Sequence, residues 1–207
     1  MQIIPVHVFG EIDEFGYFFA ADDNAAVIID PGAEAEKFKA AAKENDLKIK
    51  AILLTHGHFD HIGAANELSE FFGVPIYTGA GGKEYVNNPK YNLSVFLSNP
   101  ISFDNVIEKV EGEFIEISKD CALKIIATPG HTSDGVTYYD KVNKVAFVGD
   151  TIFEGSYGRV DFPGGDEKTL FKSIKEKIFA FPDDTRLFTG HSAPTTVGVE
   201  KTRSYYK

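Results

Sequence analysis

The stretch Lys50–His61, KAILLTHGHFDH, organises the reading of this chain. Four apolar residues, Ala51 to Leu54, run into Thr55 and stop at a polar segment. A short apolar run that ends this way reads as a buried strand opening into a loop. Beyond it, His56, His58, Asp60 and His61 fall within six residues and include half of the six histidines in the chain. Imidazole and carboxylate are ligands for zinc and other borderline divalent ions. One segment normally supplies only part of a tetrahedral site, so four donors here hint at two adjacent ions. Gly57 is expected to let the backbone turn so that the flanking imidazoles converge. Asp60 is expected to cap the following helix as well as to ligate.

Three more apolar runs end in the same chemistry. IATPGHT stops at His131, AFVGDT at Asp150 and LFTGHS at His191. Each places a donor just past the carboxyl end of an expected strand, the edge where open α/β sheets gather ligand sites. A lone loop histidine is more often only hydrogen-bonded, but four strand ends with one chemistry read as one shared site. His7, inside the alternating Val6-His7-Val8, reads instead as a strand histidine with no ligand role.

The remaining chain reads as scaffold. Residues 2–9 and 15–20 form a hairpin and 25–29 a third strand. Asp30-Pro31-Gly32 breaks it, with Asp30 either a plain turn residue or a support for the cluster. Residues 33–46 read as a surface helix, and Ile62, Ala65, Leu68 and Phe72 recur at helical spacing up to a stop at Gly73. Short strands are expected at 74–77, 114–117, 121–127, 135–139, 144–148 and 186–189. Leu170, Ile174 and Ile178 mark a second amphipathic helix capped by Asp166. Residues 79–108 give only one short helix and a substrate-side loop.

A length of 207 residues suits a single domain with a full core. The net charge of −10 offers no footprint for nucleic acid or an anionic membrane surface. No apolar run reaches membrane-spanning length and no secretory leader is evident. The single cysteine, Cys121, reads as a small core residue. A reduced cytoplasm is the expected compartment.

THGHFDH at 55–61, followed by His131, Asp150 and His191 in that order, resembles the metallo-β-lactamase superfamily and its H-x-H-x-D-H motif. The resemblance implies an αββα sandwich: two mixed sheets with helices outside. With GSYGRVDFPGGD at 155–166 and GHSAPTTVGVEK at 190–201, the chain is most similar to short glyoxalase II-like hydrolases. By that likeness His56, His58 and His131 hold one metal, Asp60, His61 and His191 a second, and Asp150 bridges both. The ions would be zinc, with iron or manganese as alternatives.

The implied reaction is thioester hydrolysis by a metal-bridging hydroxide that Asp60 helps to orient, without a serine or cysteine nucleophile. Asp30 and Thr151 would stand behind the ligands and fix imidazole tautomers. Arg159 falls where the family has a basic residue near the substrate carboxylate, although a surface pair with Asp161 reads equally well. Tyr157 is a second candidate contact. The substrate would be a small-molecule acyl thioester. Full-length glyoxalase II enzymes add a C-terminal helical domain with glutathione contacts, and only sixteen residues follow His191 here. The persulfide dioxygenases of the superfamily share the G-R-x-D-F stretch. In that alternative one iron would sit on His56, His131 and Asp150.

Overall fold

Alternating burial sets the architecture. In β2 (Asp13–Ala20), Tyr17 and Phe19 point one way and Phe18 the other; all three are buried. Val27 and Ile29 against Ile28 repeat this in β3 (Ala25–Ile29), as do Ala51 and Leu53 against Ile52 in β4 (Lys48–Leu53). Strands buried on both faces need a layer on each side. One layer is a second sheet and the other is helical. In this computed structural model, which describes residues 1–206, the result is a four-layer αββα sandwich.

The first sheet has the order β1-β2-β3-β4-β5-β6, with β1 at Gln2–Phe9, β5 at Ile76–Gly79 and β6 at Val106–Lys109. Pairs β1/β2 and β2/β3 are antiparallel, and β3/β4, β4/β5 and β5/β6 are parallel. The second sheet runs β7 (Phe114–Ser118), β8 (Cys121–Ala127), β9 (Val136–Asp140), β10 (Val145–Gly149), β13 (Arg186–Thr189) and β14 (Thr195–Thr196). Between β10 and β13 the chain makes a two-stranded ribbon, β11 (Ile152–Phe153) and β12 (Ser156–Tyr157). Tyr17, Phe19, Leu53, Tyr138 and Phe147 fill the space between the large sheets. Helices α1 (Ala35–Glu44) and α3 (Ala65–Phe72) cover the first sheet through Phe38 and Leu68. Helix α5 (Glu167–Glu176) covers the second through Leu170 and Ile174.

Strand direction brings the donors together. β10 is parallel to β13 and antiparallel to β9, which is antiparallel to β8. The carboxyl ends of β8, β10 and β13 therefore share one edge, and those of β3 and β4 share the facing edge. A backbone bond from Phe15 N to Gly190 O, 2.8 Å, ties the two sheets there.

Several expectations are corrected. The helix expected from Ile62 to Phe72 is two helices, α2 (Phe59–Ile62) and α3. The break arises because Ala64 N bonds Pro31 O at 2.9 Å instead of continuing the α2 ladder. Asp60 lies inside the first turn of α2; His58 is the capping position, and no side chain caps there. Gly57 is not in the left-handed region; it is required because a Cβ would stand 2.4 Å from Tyr85 Cβ. Asp166 caps α5 as expected, accepting from Thr169 N at 2.7 Å. Ile178 lies beyond α5 in a tight 3-10 turn that precedes Pro182, which forces an extended residue before it. Residues 79–108 contain α4 (Gly82–Asn87), a 3-10 turn at Ser94–Phe96 and strand β6. Helix α6 (Val197–Lys201) and a 3-10 turn at Ser204–Tyr206 close the described chain.

Candidate metal centre

All seven donors meet at the shared edge. His56 Nε2 lies 3.2 Å from His58 Nδ1, which lies 3.0 Å from His131 Nε2. On the other side His61 Nε2 is 3.3 Å from His191 Nε2, and His191 Nε2 is 3.3 Å from Asp60 Oδ2. Asp150 spans the two groups. Its Oδ1 is 3.4 Å from His61 Nε2, and its Oδ2 is 3.6 Å from His131 Nε2 and 3.4 Å from His191 Nε2. Two three-donor sets result, His56/His58/His131 and Asp60/His61/His191, each with its donor atoms within 4.8 Å of one another.

The donor set fits divalent ions. Ligand bonds of about 2.0–2.1 Å at tetrahedral angles separate neighbouring donors by about 3.4 Å, close to the spacings here. Asp150 Oδ1 is buried without a hydrogen-bond partner, as expected of an oxygen whose partner is an ion. Nitrogens facing one another at about 3 Å need a cation or a proton between them.

The rear nitrogens fix the tautomers. His131 Nδ1 donates to Arg159 O at 2.7 Å and His191 Nδ1 to Asp13 O at 2.7 Å, because a carbonyl can only accept. Their Nε2 atoms are thereby the ones that face the cluster. Asp30 serves both sides. Its Oδ2 accepts from Thr55 Oγ1 at 2.6 Å and stands 3.2 Å from His61 Nδ1, while its Oδ1 accepts from Thr55 N at 2.7 Å. With its proton given to Asp30, Thr55 Oγ1 accepts from His56 Nδ1 at 3.1 Å. Asp30 combines this with a left-handed φ of 47° at the strand end, so it is turn residue and support at once. His58 Nε2 has no polar partner.

The electrostatics differ across the cluster. Burial and neighbouring imidazoles depress His56 well below its usual range and His58 to about 3. Burial pushes His61 down too, but Asp150 and Asp30 outweigh it and raise His61 well above normal. His191 rises to about 10 for the same kind of reason, with Asp150 and Asp60 overcoming burial. Asp150 is held well below the carboxylate range by His61 and His191 despite its burial.

Thr151 sits differently from expectation, and Arg159 makes the surface pair that was its alternative. Thr151 Oγ1 donates to Thr128 Oγ1 at 3.2 Å and touches no imidazole through a hydrogen bond, because the turn after Gly149 aims it into a threonine ladder between strand ends. Arg159 lines the cavity over the cluster, yet its Nε and Nη2 both donate to Asp161 at 2.7 Å, and its guanidinium lies 4.1 Å over Phe162. Tyr157 lines the same cavity and packs on Phe171. His7 stacks on Phe15, away from the cluster.

Three residues escaped the sequence reading. Glu14 is fully buried with both carboxyl oxygens unpartnered, Oε1 3.7 Å from His61 Nδ1, and burial raises its pKa well above normal. Its place in β2 resembles an ordinary edge glutamate, and only the inward phase of the strand betrays it. Gly158 allows its segment to approach the site, since a Cβ there would lie 1.9 Å from Asp150 O and 3.0 Å from His131 Nδ1. Asp134 lies behind Gly57, buried with both oxygens unpartnered, and burial lifts it to about 7.

An αββα sandwich with paired histidine–aspartate sets at one sheet edge defines a protein of the metallo-hydrolase class, whose fold implies divalent metal binding. The chain belongs to the metallo-beta-lactamase superfamily, whose model matches residues 15–191. It is 38% identical to hydroxyacylglutathione hydrolase GloC of Haemophilus influenzae over 206 residues, covering 97% of this chain and 94% of that one. Among solved structures it resembles the BLEG-1 B3 metallo-beta-lactamase, with a TM-score of 0.90 and 34% identity over the whole of both chains. It also resembles TTHA1623 in a di-iron-bound form, with a TM-score of 0.86, 33% identity and coverage of 98% and 99%. Among the described residues, no helix is long and apolar enough to cross a membrane.

Proposed function

We propose that this chain is a dinuclear metal-dependent hydrolase that cleaves thioesters in the manner of glyoxalase II. One observation carries the reading: Asp150 presents one oxygen to His61 and the other to His131 and His191, so two three-donor sets share a single carboxylate. His56, His58 and His131 would hold one ion, and Asp60, His61 and His191 the other, zinc in the first instance. Bound there, the pair supplies Lewis acidity for a water and for the scissile carbonyl.

The chain's own residues do the remaining work. Asp30, Thr55, Asp13 O and Arg159 O hold four imidazoles in single tautomers, so the donors need no reorganisation. Asp60 lines the cavity and orients the attacking water by accepting one of its protons. The water oxygen adds to the carbonyl carbon, and the C–S bond breaks with its electron pair on sulfur. The sulfur takes up one of the water's two protons and the other passes to solvent, so a thiol and a carboxylate leave. A resemblance to hydroxyacylglutathione hydrolase GloC supports the thioester as substrate type.

The test is elemental analysis of protein purified without added metal, paired with hydrolysis of a thioester panel and oxygen uptake on glutathione persulfide. About two ions per chain with thioester turnover and no oxygen uptake is the expected result. One iron per chain with oxygen uptake overturns it in favour of the dioxygenase chemistry.

A further inference from the structure

The cavity above the cluster, 410 Å³ in volume, has an unusual division of chemistry. Its floor is the donor set. Its walls are apolar and come from separate segments: Ile12 from the β1–β2 turn, Leu93 and Phe96 from the loop before β6, Phe153 and Tyr157 from the ribbon, and Phe162 after it. Phe96 is 81% exposed and Ile12 46%, so a ligand there covers apolar surface that now meets water. Among the described residues, the only cationic side chain on the walls is Arg159. Both arms of its guanidinium bind Asp161 and its face covers Phe162. An anionic ligand group finds no unpaired cation on these walls.

The Leu93–Phe96 wall is built in advance. Asn92 is fully buried, its Nδ2 donating to Ile101 O at 2.9 Å and its Oδ1 accepting from Ser94 N at 2.9 Å. Ser94 Oγ accepts from Ile101 N at 2.8 Å, which pins the two ends of the loop together. These bonds hold Leu93 at a left-handed φ of 65°, unfavourable for a leucine. Phe59 N donates to Asn92 O at 2.8 Å, so the wall is tied to the first residue of α2, one position before Asp60. A wall fixed to a ligand-bearing helix keeps its distance from the reacting centre and loses little order on binding.

We propose that this cavity selects thioesters whose acyl group is uncharged and apolar, aromatic or branched, over those whose acyl group carries a carboxylate. The inference rests on the hydrolase reading for its reaction, but the cavity's preference is measurable without turnover.

The test uses the metal-loaded full chain and N-acetylcysteamine thioesters of phenylacetate, acetate and succinate, so that the thiol carrier is constant and neutral. The expected order of kcat/KM is phenylacetyl, acetyl, succinyl, with about 100-fold between the first and last. Phe96→Ala narrows the phenylacetyl-to-acetyl ratio by about tenfold and Phe96→Leu restores most of it. A succinyl thioester cleaved as well as the phenylacetyl one, or a ratio unmoved by Phe96→Ala, overturns the proposal.

In parallel, calorimetry measures binding of the matching non-hydrolysable phenethyl and carboxypropyl thioethers. If no thioester is cleaved yet the phenethyl compound binds at least tenfold tighter, the hydrolase reading fails and the cavity preference stands. Equal binding of the two thioethers overturns the cavity preference whatever the turnover.

Discussion

On one side of Asp150 the imidazoles lean on neutral partners. His56 gives its proton to a threonine hydroxyl, His131 to a peptide carbonyl, and His58 faces the Phe162 and Tyr85 rings with no polar partner for its rear Nε2. On the other side His61 has Asp30 at 3.2 Å and Glu14 at 3.7 Å behind it, and His191 has Asp60 and Asp150 before it. The residue types are the same; the charge behind them is not. The neutral half keeps His56 and His58 deprotonated at neutral pH, so lone pairs stand ready for a cation. The anionic half raises His61 and His191, so protons occupy it until a cation displaces them. Metal binding there releases protons and weakens as pH falls.

The largest test removes the one group common to both halves. Replacing Asp150 with Ala should abolish metal-dependent thioester turnover and reduce the ions held per chain, read by a hydrolysis assay and elemental analysis of one sample. Retained activity with full metal content would reject the bridging role and leave two independent halves.

A second test concerns the carboxyl behind the neutral half. Burial places Asp134 at about 7 when folded, against 3.8 for an unperturbed aspartate. A folded pKa above the unfolded one means stability is full below pH 4 and lost as pH rises to about 7, at about 1.4 kcal/mol per unit. Asp134→Asn keeps the shape and cannot ionise. Metal-free melting curves should therefore show the variant pulling ahead between pH 4 and 7. It should be the more stable by on the order of 2–4 kcal/mol above that window. Parallel profiles would mean that Asp134 is solvated or paired, and that the neutral half is less dry than its geometry indicates.

The third test compares the two carboxyl side chains behind His61. Asp30→Asn touches both halves, directly at His61 and through Thr55 at His56, and should cost roughly 10–100-fold in metal affinity overall. Glu14→Gln touches only the anionic half, so chelator competition should show one of two ions weakened. If both variants weaken both ions equally, the halves are electrostatically one site.

How much of this was legible in the sequence follows from range. Donors at strand ends were readable because an apolar run ending in Gly, His or Asp is a local pattern, and parallel strands then bring their ends to one edge. The αββα layering was implied by the family resemblance of THGHFDH and the donors downstream of it. What stayed hidden depends on contacts distant in sequence. The break between α2 and α3 is set by Pro31 O, and the role of Gly57 by Tyr85. Glu14 is distinguished by its phase in β2, which sets it beside His61, a residue distant in sequence. The ribbon strands and β14 have two residues each, too short to show a period. The loop before β6 carries its order in Asn92 and Ser94 side chains, which composition reads as plain turn residues.

Arg159 divides the two readings most finely, because its main chain and side chain act separately. Its carbonyl holds His131 in the neutral half, and no side-chain replacement removes that bond. Its guanidinium, 59% exposed, is committed to Asp161. An exposed ion pair of this kind is worth about 0–1 kcal/mol. Arg159→Ala should therefore leave kcat unchanged and shift KM by less than about fivefold for charged and neutral thioesters alike. The family likeness implies the opposite, a rise in KM confined to anionic substrates with kcat preserved, the signature of lost uniform binding. Steady-state kinetics on the succinyl and phenylacetyl thioesters separates the two. A tenfold rise for succinyl alone would show that the guanidinium leaves Asp161 when substrate arrives, and the apolar cavity would then hold only the uncharged part of an anionic acyl group.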